Sequence, residues 1–121
     1  MNKNIKNIKN KYFIKAIVLE NCPYSINAEK LLNEYKIKHD IIRVTHITKN
    51  QYKNATINTF PQIYLKKLNY PDNLLIGGYS SLKSLIDTFR SNKYDDTTIN
   101  DYVQKLNLSK KILLKIINLI N

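Results

Sequence analysis

The chain's one thiol, Cys22, stands in the run Cys22-Pro23-Tyr24-Ser25, ahead of apolar residues at helical spacing, Ile26, Ala28, Leu31, Leu32 and Tyr35. Proline suits the first turn of a helix, so Cys22 falls at a helix N-terminus. There the backbone N–H groups lack intrahelical partners and the peptide dipoles favour negative charge. Thiolate is the form that attacks a disulfide sulfur. Ser25 lies one helical turn further on, where a dithiol enzyme would carry a second cysteine. Its hydroxyl can hydrogen-bond a thiolate but cannot form a disulfide. A single cysteine excludes an internal disulfide framework and a Cys-only metal site within one chain. Whatever Cys22 forms must therefore be resolved by a thiol from outside. His39 and His46, seven residues apart, match no common zinc spacing and read as surface or packing residues, so no metal site is expected.

The segment that must position this thiol is Tyr12 to Glu20, β-branched, aromatic and almost continuously apolar, as expected of a central strand buried on both faces. A second strand is expected over Asp40 to Ile47, then a short polar helix over roughly 49–57 capped by Thr48. Gln62 to Leu65 follow Pro61 as a third strand, and Leu74 to Ile76 form a fourth after the turn signal around Pro71-Asp72. Gly77-Gly78 end it. Ser80 or Ser81 then caps a helix with Leu82, Leu85, Ile86 and Phe89 on one face. The order β-α-β-α-β-β-α predicts first strands that pair parallel through crossovers and a final antiparallel hairpin. Beyond it, Thr97 or Thr98 and then Ser109 can cap two further amphipathic helices, which the pattern predicts to pack on the same core.

The formal net charge of +11 invites a nucleic-acid reading, but its distribution argues against one. Residues 1–15 carry five lysines and no acid, residues 105–121 carry four lysines and no acid, and the middle is nearly balanced. No aromatic residues interleave with the basic ones in a recognisable groove. The flanks are expected to be solubilising, the first of them (1–11) as a flexible basic arm. Lysine and asparagine interrupt every apolar stretch, so no membrane partner is expected. The protein is expected to be cytoplasmic, or within a virion if its Asn, Ile and Lys bias reflects a large DNA virus.

Three motifs in order give the chain a resemblance to the glutaredoxins over about residues 12–92, with 93–121 as a C-terminal helical extension. Cys22-Pro23-Tyr24-Ser25 resembles the Cys-Pro-Tyr-Cys site with its second cysteine replaced. Thr59-Phe60-Pro61 resembles the Thr-Val-Pro segment, whose proline is cis in the family, and Gly77-Gly78 resembles the glycine pair before the last helix. The resemblance implies an α/β thioredoxin-like fold, a four-stranded mixed sheet flanked by helices. It also implies a glutathione held by Tyr24, Ser25, Thr59, Phe60, Pro61, Gly77, Gly78, Ser80 and Ser81. A backbone next to such a proline can pair with an extended peptide as a strand would, and a helix N-terminus can hold a carboxylate.

The departures lie at the charged positions. Leu19 stands where many members have a lysine, Ser80 and Ser81 where an aspartate is usual, and Asn58 where a base is common. Lys49, Gln51 and Lys53 are the candidates to supply the missing electrostatic contribution. The activity implied is glutathione-dependent reduction of protein–glutathione mixed disulfides and small disulfides by a monothiol route, with glutathione reductase and NADPH acting indirectly. Two alternatives stand beside it. One is an iron–sulfur cluster carrier, ligated by Cys22 and glutathione from two copies. The other is a non-catalytic thioredoxin-fold binding module that uses the basic flanks.

Overall fold

The structure, a computed structural model, describes residues 11–91 and 93–121, so most of the predicted N-terminal arm lies outside the described residues. The elements are β1 (Tyr12–Leu19), α1 (Pro23–Glu34), β2 (His39–Val44), a 3-10 turn (Lys49–Tyr52), β3 (Gln62–Lys67), β4 (Asn73–Gly77), α2 (Tyr79–Phe89), α3 (Asp96–Leu106) and α4 (Lys110–Ile120). The strands form one sheet in the order β2-β1-β3-β4. β1 and β2 run parallel, with Ala16 opposite Ile41. β3 is antiparallel to β1, with Ala16 opposite Ile63, and β4 is antiparallel to β3.

Only one of the expected parallel crossovers is present. Segment 45–61 stays at the end of the sheet where β2 finishes, so β3 starts there, Gln62 opposite Ile17, and runs back along β1. The expected polar helix over 49–57 shrinks to the 3-10 turn. Thr48 caps nothing, because its hydroxyl accepts from the Thr45 N–H at 3.0 Å.

The sheet has two unlike faces. Ile14, Ala16, Val18, Ile63, Leu65 and Ile76 share one buried cluster with Leu32, Leu82, Leu85, Ile86, Phe89 and Ile99, and with Leu113, Ile116, Ile117 and Ile120. All four helices thus contribute to the core on one side, and the last two pack on it as their spacing predicted. The other side of β1 carries Ile17, buried, and Phe13, Lys15 and Leu19, each half-buried, so the strand is only partly covered on the face expected to be buried. Residues of segment 51–57 border that side instead of a full helix.

Caps correct two sequence expectations. α2 starts after Gly78, which leaves Ser80 and Ser81 inside its first turn. α3 is capped by Asp95, whose carboxylate accepts from the Thr98 N–H at 2.9 Å, so neither threonine is the cap. Ser109 caps α4 as predicted, accepting from the Ile112 N–H at 3.2 Å. A mixed four-stranded sheet with α1 and α2 on one face and the cysteine at the end of β1 is a thioredoxin-like α/β fold.

Candidate functional site

Cys22 is placed by the way β1 ends. The Glu20 N–H still donates to the Val44 carbonyl, at 3.0 Å, and Asn21 then turns the chain with φ 56°. Asn is one of the few non-glycine residues that takes this left-handed conformation readily. Cys22 follows in an extended conformation as the N-cap of α1, with Pro23 in the first turn. Its thiol is half-buried, and its Sγ points at the Phe60 carbonyl oxygen, 3.9 Å away. The peptide bond between Phe60 and Pro61 is cis, as the motif implied.

Beside this contact runs a groove of about 370 Å3, lined by Tyr24, Thr59, Phe60, Pro61, Gly78, Tyr79, Ser80 and Ser81. Its size lies within the roughly 300–1,000 Å3 of small-molecule sites. One wall is the Thr59-Phe60-Pro61 segment and the opposite wall is the start of α2. The backbone N–H groups of Tyr79, Ser80 and Ser81 head that helix without intrahelical acceptors, so the wall offers donors and a positive dipole to a carboxylate. Tyr24, 62% exposed, and Tyr79 stand as a tilted ring pair at the rim, centroids 6.0 Å apart. Tyr79 was not among the sequence candidates. Its signal is present all the same, since it is the first helical residue after Gly78 and so must sit at the mouth of any site the helix serves.

The structure thus gathers seven of the predicted residues, Tyr24, Thr59, Phe60, Pro61, Gly78, Ser80 and Ser81, around one groove. Three predictions need correction. Ser25 is 1% exposed and its hydroxyl accepts from the Leu19 N–H at 3.0 Å. It ties the end of β1 to α1 and does not line the groove. Gly77 does not line it either, and its contribution is conformational: φ is 145°, and an added Cβ would collide with the Ser81 side chain. Gly78 is the glycine at the groove wall, where an added Cβ would meet the Pro61 carbonyl at an ordinary 3.6 Å. Gln51 and Lys53 line a different groove, with Lys15, Ile17 and Tyr64 on the open face of the sheet, and Lys49 lies in the 3-10 turn. The shortened helix before β3 leaves them off the Cys22 groove.

The hydrogen-bond partner of the Cys22 Sγ is the Phe60 carbonyl oxygen, not a cationic side chain. The nearest ion pair in sequence, Arg43 with Glu29, is closed on itself by two bonds of 2.8 and 2.7 Å. That pairing holds the Glu29 carboxyl below its ordinary value. Glu20 is occupied as well, accepting from the His46 N–H at 3.2 Å. Among the described residues no three His, Cys, Asp or Glu come together as metal ligands.

Residues 10–68 match the glutaredoxin family model. No curated protein matches the chain. The matched segment runs from the start of β1 to the end of β3 and contains both Cys22 and the cis proline. The segment that carries Cys22 is therefore similar to the glutaredoxins, a family whose chemistry is thiol–disulfide exchange.

Proposed function

We propose that the protein is a glutathione-dependent oxidoreductase that reduces protein–glutathione mixed disulfides by a monothiol route. The observation that carries this reading is the Cys22 thiol, alone in the chain, at the head of α1 and against the wall of the Tyr24–Ser81 groove. Glutathione has an extended peptide portion suited to the Phe60 backbone and carboxylates suited to the N-terminus of α2.

In the first step the Cys22 thiolate attacks the glutathione sulfur of the mixed disulfide. A Cys22–glutathione disulfide forms, the protein–sulfur bond breaks, and the substrate leaves as thiolate to be protonated. In the second, the thiolate of another glutathione attacks the glutathione sulfur held on Cys22. Oxidised glutathione leaves and the Cys22 thiolate returns. No internal disulfide can intervene, because position 25 is serine. Both steps depend on nucleophile and leaving-group basicity and on access to the sulfur attacked. The rim tyrosines cover the bound tripeptide, and the N–H groups of α2 orient it.

The test is a steady-state assay with a glutathionylated peptide, glutathione, and excess glutathione reductase with NADPH. Wild type is expected to turn over in proportion to glutathione, and Cys22→Ser to lose all but a few per cent of the rate. Turnover that persists in Cys22→Ser would remove the assignment.

A further inference from the structure

Lys67 from β3 and the lysines of α4 meet around the start of β1, at the opposite end of that strand from Cys22. β1 starts at Tyr12, seven residues before the strand's end beside the active site, a separation of about 23 Å at the strand rise. The Lys67 Nζ lies 5.6 Å from the Tyr12 ring centre and 4.4 Å from that of Tyr70. The Lys115 Nζ, from α4, lies 5.6 Å from the same Tyr12 ring. Lys67, Tyr70, Leu74 and Ile112 border a cleft between the β3–β4 hairpin and α4, and Lys110, Lys111, Leu114 and Lys115 form a shallow neighbouring surface. Those two linings include four lysines and one acid, Asp72. Lys11 stands at the same end, its carbonyl accepting from the Leu68 N–H at 2.8 Å.

The same end carries uncovered apolar side chains. Leu68 and Tyr70 are each 52% exposed, Leu114 is 42% and Leu74 is 39%. Lysines around protruding leucines and a tyrosine are the composition of a surface that lies on a lipid headgroup layer. The ammonium groups reach phosphate while the apolar side chains enter the boundary below it. We propose that this end of the molecule docks on an anionic lipid bilayer, leaving Cys22 directed away from it. A polynucleotide fits less well. The exposed leucines would do nothing for it, and the Tyr12 and Tyr70 rings that would stack with bases already carry lysine ammonium groups over them. Among the described residues no helix is long and apolar enough to cross a membrane, and this mode of attachment requires none. The expectation of no membrane partner rested on spanning segments alone, and the convergence of Lys67 with the lysines of α4 is a property of the fold.

The test is cosedimentation of the full chain with vesicles of phosphatidylcholine, with and without phosphatidylserine, and in parallel binding to a labelled single-stranded oligothymidine. Wild type is expected to bind only the phosphatidylserine vesicles. Lys110→Glu/Lys111→Glu/Lys115→Glu should lower the partition coefficient by at least about tenfold. Lys30→Glu/Lys36→Glu/Lys93→Glu makes the same change in net charge on exposed lysines elsewhere and should lower it by less than about threefold. Leu68→Ser/Leu114→Ser, which alters no charge and touches no core residue, should also weaken vesicle binding. It keeps the test decisive if the charge reversals disturb α4. Equal losses in the two triple variants would overturn the proposal, as would binding that ignores phosphatidylserine. So would oligothymidine binding that needs the same lysines while the leucine pair leaves vesicle binding unchanged.

Discussion

Ser25 and Gly77 both belong to recognised motif positions, and both act through the backbone they hold. The Ser25 hydroxyl is the partner of the Leu19 N–H at the buried junction of β1 and α1. Ser25→Ala leaves that donor unpaired and is expected to cost about 1–3 kcal/mol of stability. Deglutathionylation by the folded variant should stay within about tenfold, a barrier change of roughly 1.4 kcal/mol or less. Chemical denaturation and the coupled assay, run on the same preparation, separate the two effects. Gly77→Ala must place a side chain at φ 145° against Ser81. It is expected to cost on the order of 1–3 kcal/mol and to raise the glutathione KM by displacing the start of α2. An unchanged KM and melting temperature would mean that the turn relaxes freely. The motif positions were legible in the sequence because their residue types are unusual there. The direction of the Ser25 hydroxyl was not, because it depends on how α1 approaches the end of β1, which no local pattern encodes.

At the scale of elements, helix periodicity predicted the core faces well. Leu82, Leu85, Ile86 and Phe89 are all buried, and on α4 Leu113, Ile116, Ile117 and Ile120 are buried with them. The extension is therefore expected to stabilise the domain through Phe89, whose ring meets Tyr94 and Tyr102 edge-on at 5.1 and 5.0 Å. Phe89→Ala should cost about 3–5 kcal/mol, measured by denaturant unfolding. The Arg43–Glu29 pair joins β2 to α1 in the same way. Because the folded Glu29 carboxyl lies below its ordinary value of 4.5, its contribution is present above that pH and lost as pH falls through the folded value. Arg43→Gln should accordingly lower the melting temperature at neutral pH, and the difference from wild type should be smaller at about pH 3. A difference undiminished at that pH would point to packing of the arginine stem. The segment before β3 was the element least legible in sequence. Its polar residues and capping threonine suit a helix, yet Thr45 and Thr48 bond each other and Asn54 turns the chain, accepting from the Thr56 and Ile57 N–H groups. Local side-chain bonding of this kind competes with helix formation. It also explains why Lys49, Gln51 and Lys53 miss the Cys22 groove.

For the molecule as a whole, the fold puts its two unusual properties at opposite ends. One end carries the chain's one cysteine beside the Tyr24–Ser81 groove, and the other carries a lysine-rich surface assembled from residues far apart in sequence. The first was readable from three short motifs in order. The second was not, because only tertiary packing brings α4 beside the start of β1. The central claim concerns the first end and predicts a specific covalent intermediate. The most direct measurement is intact mass, followed over time after mixing the protein with a glutathionylated peptide and then with glutathione. The account predicts one glutathionyl group on Cys22, its discharge by glutathione with equimolar oxidised glutathione, and no adduct on Cys22→Ser. A wild-type protein that stays unmodified while the peptide is reduced, or an adduct that glutathione does not discharge, would contradict it.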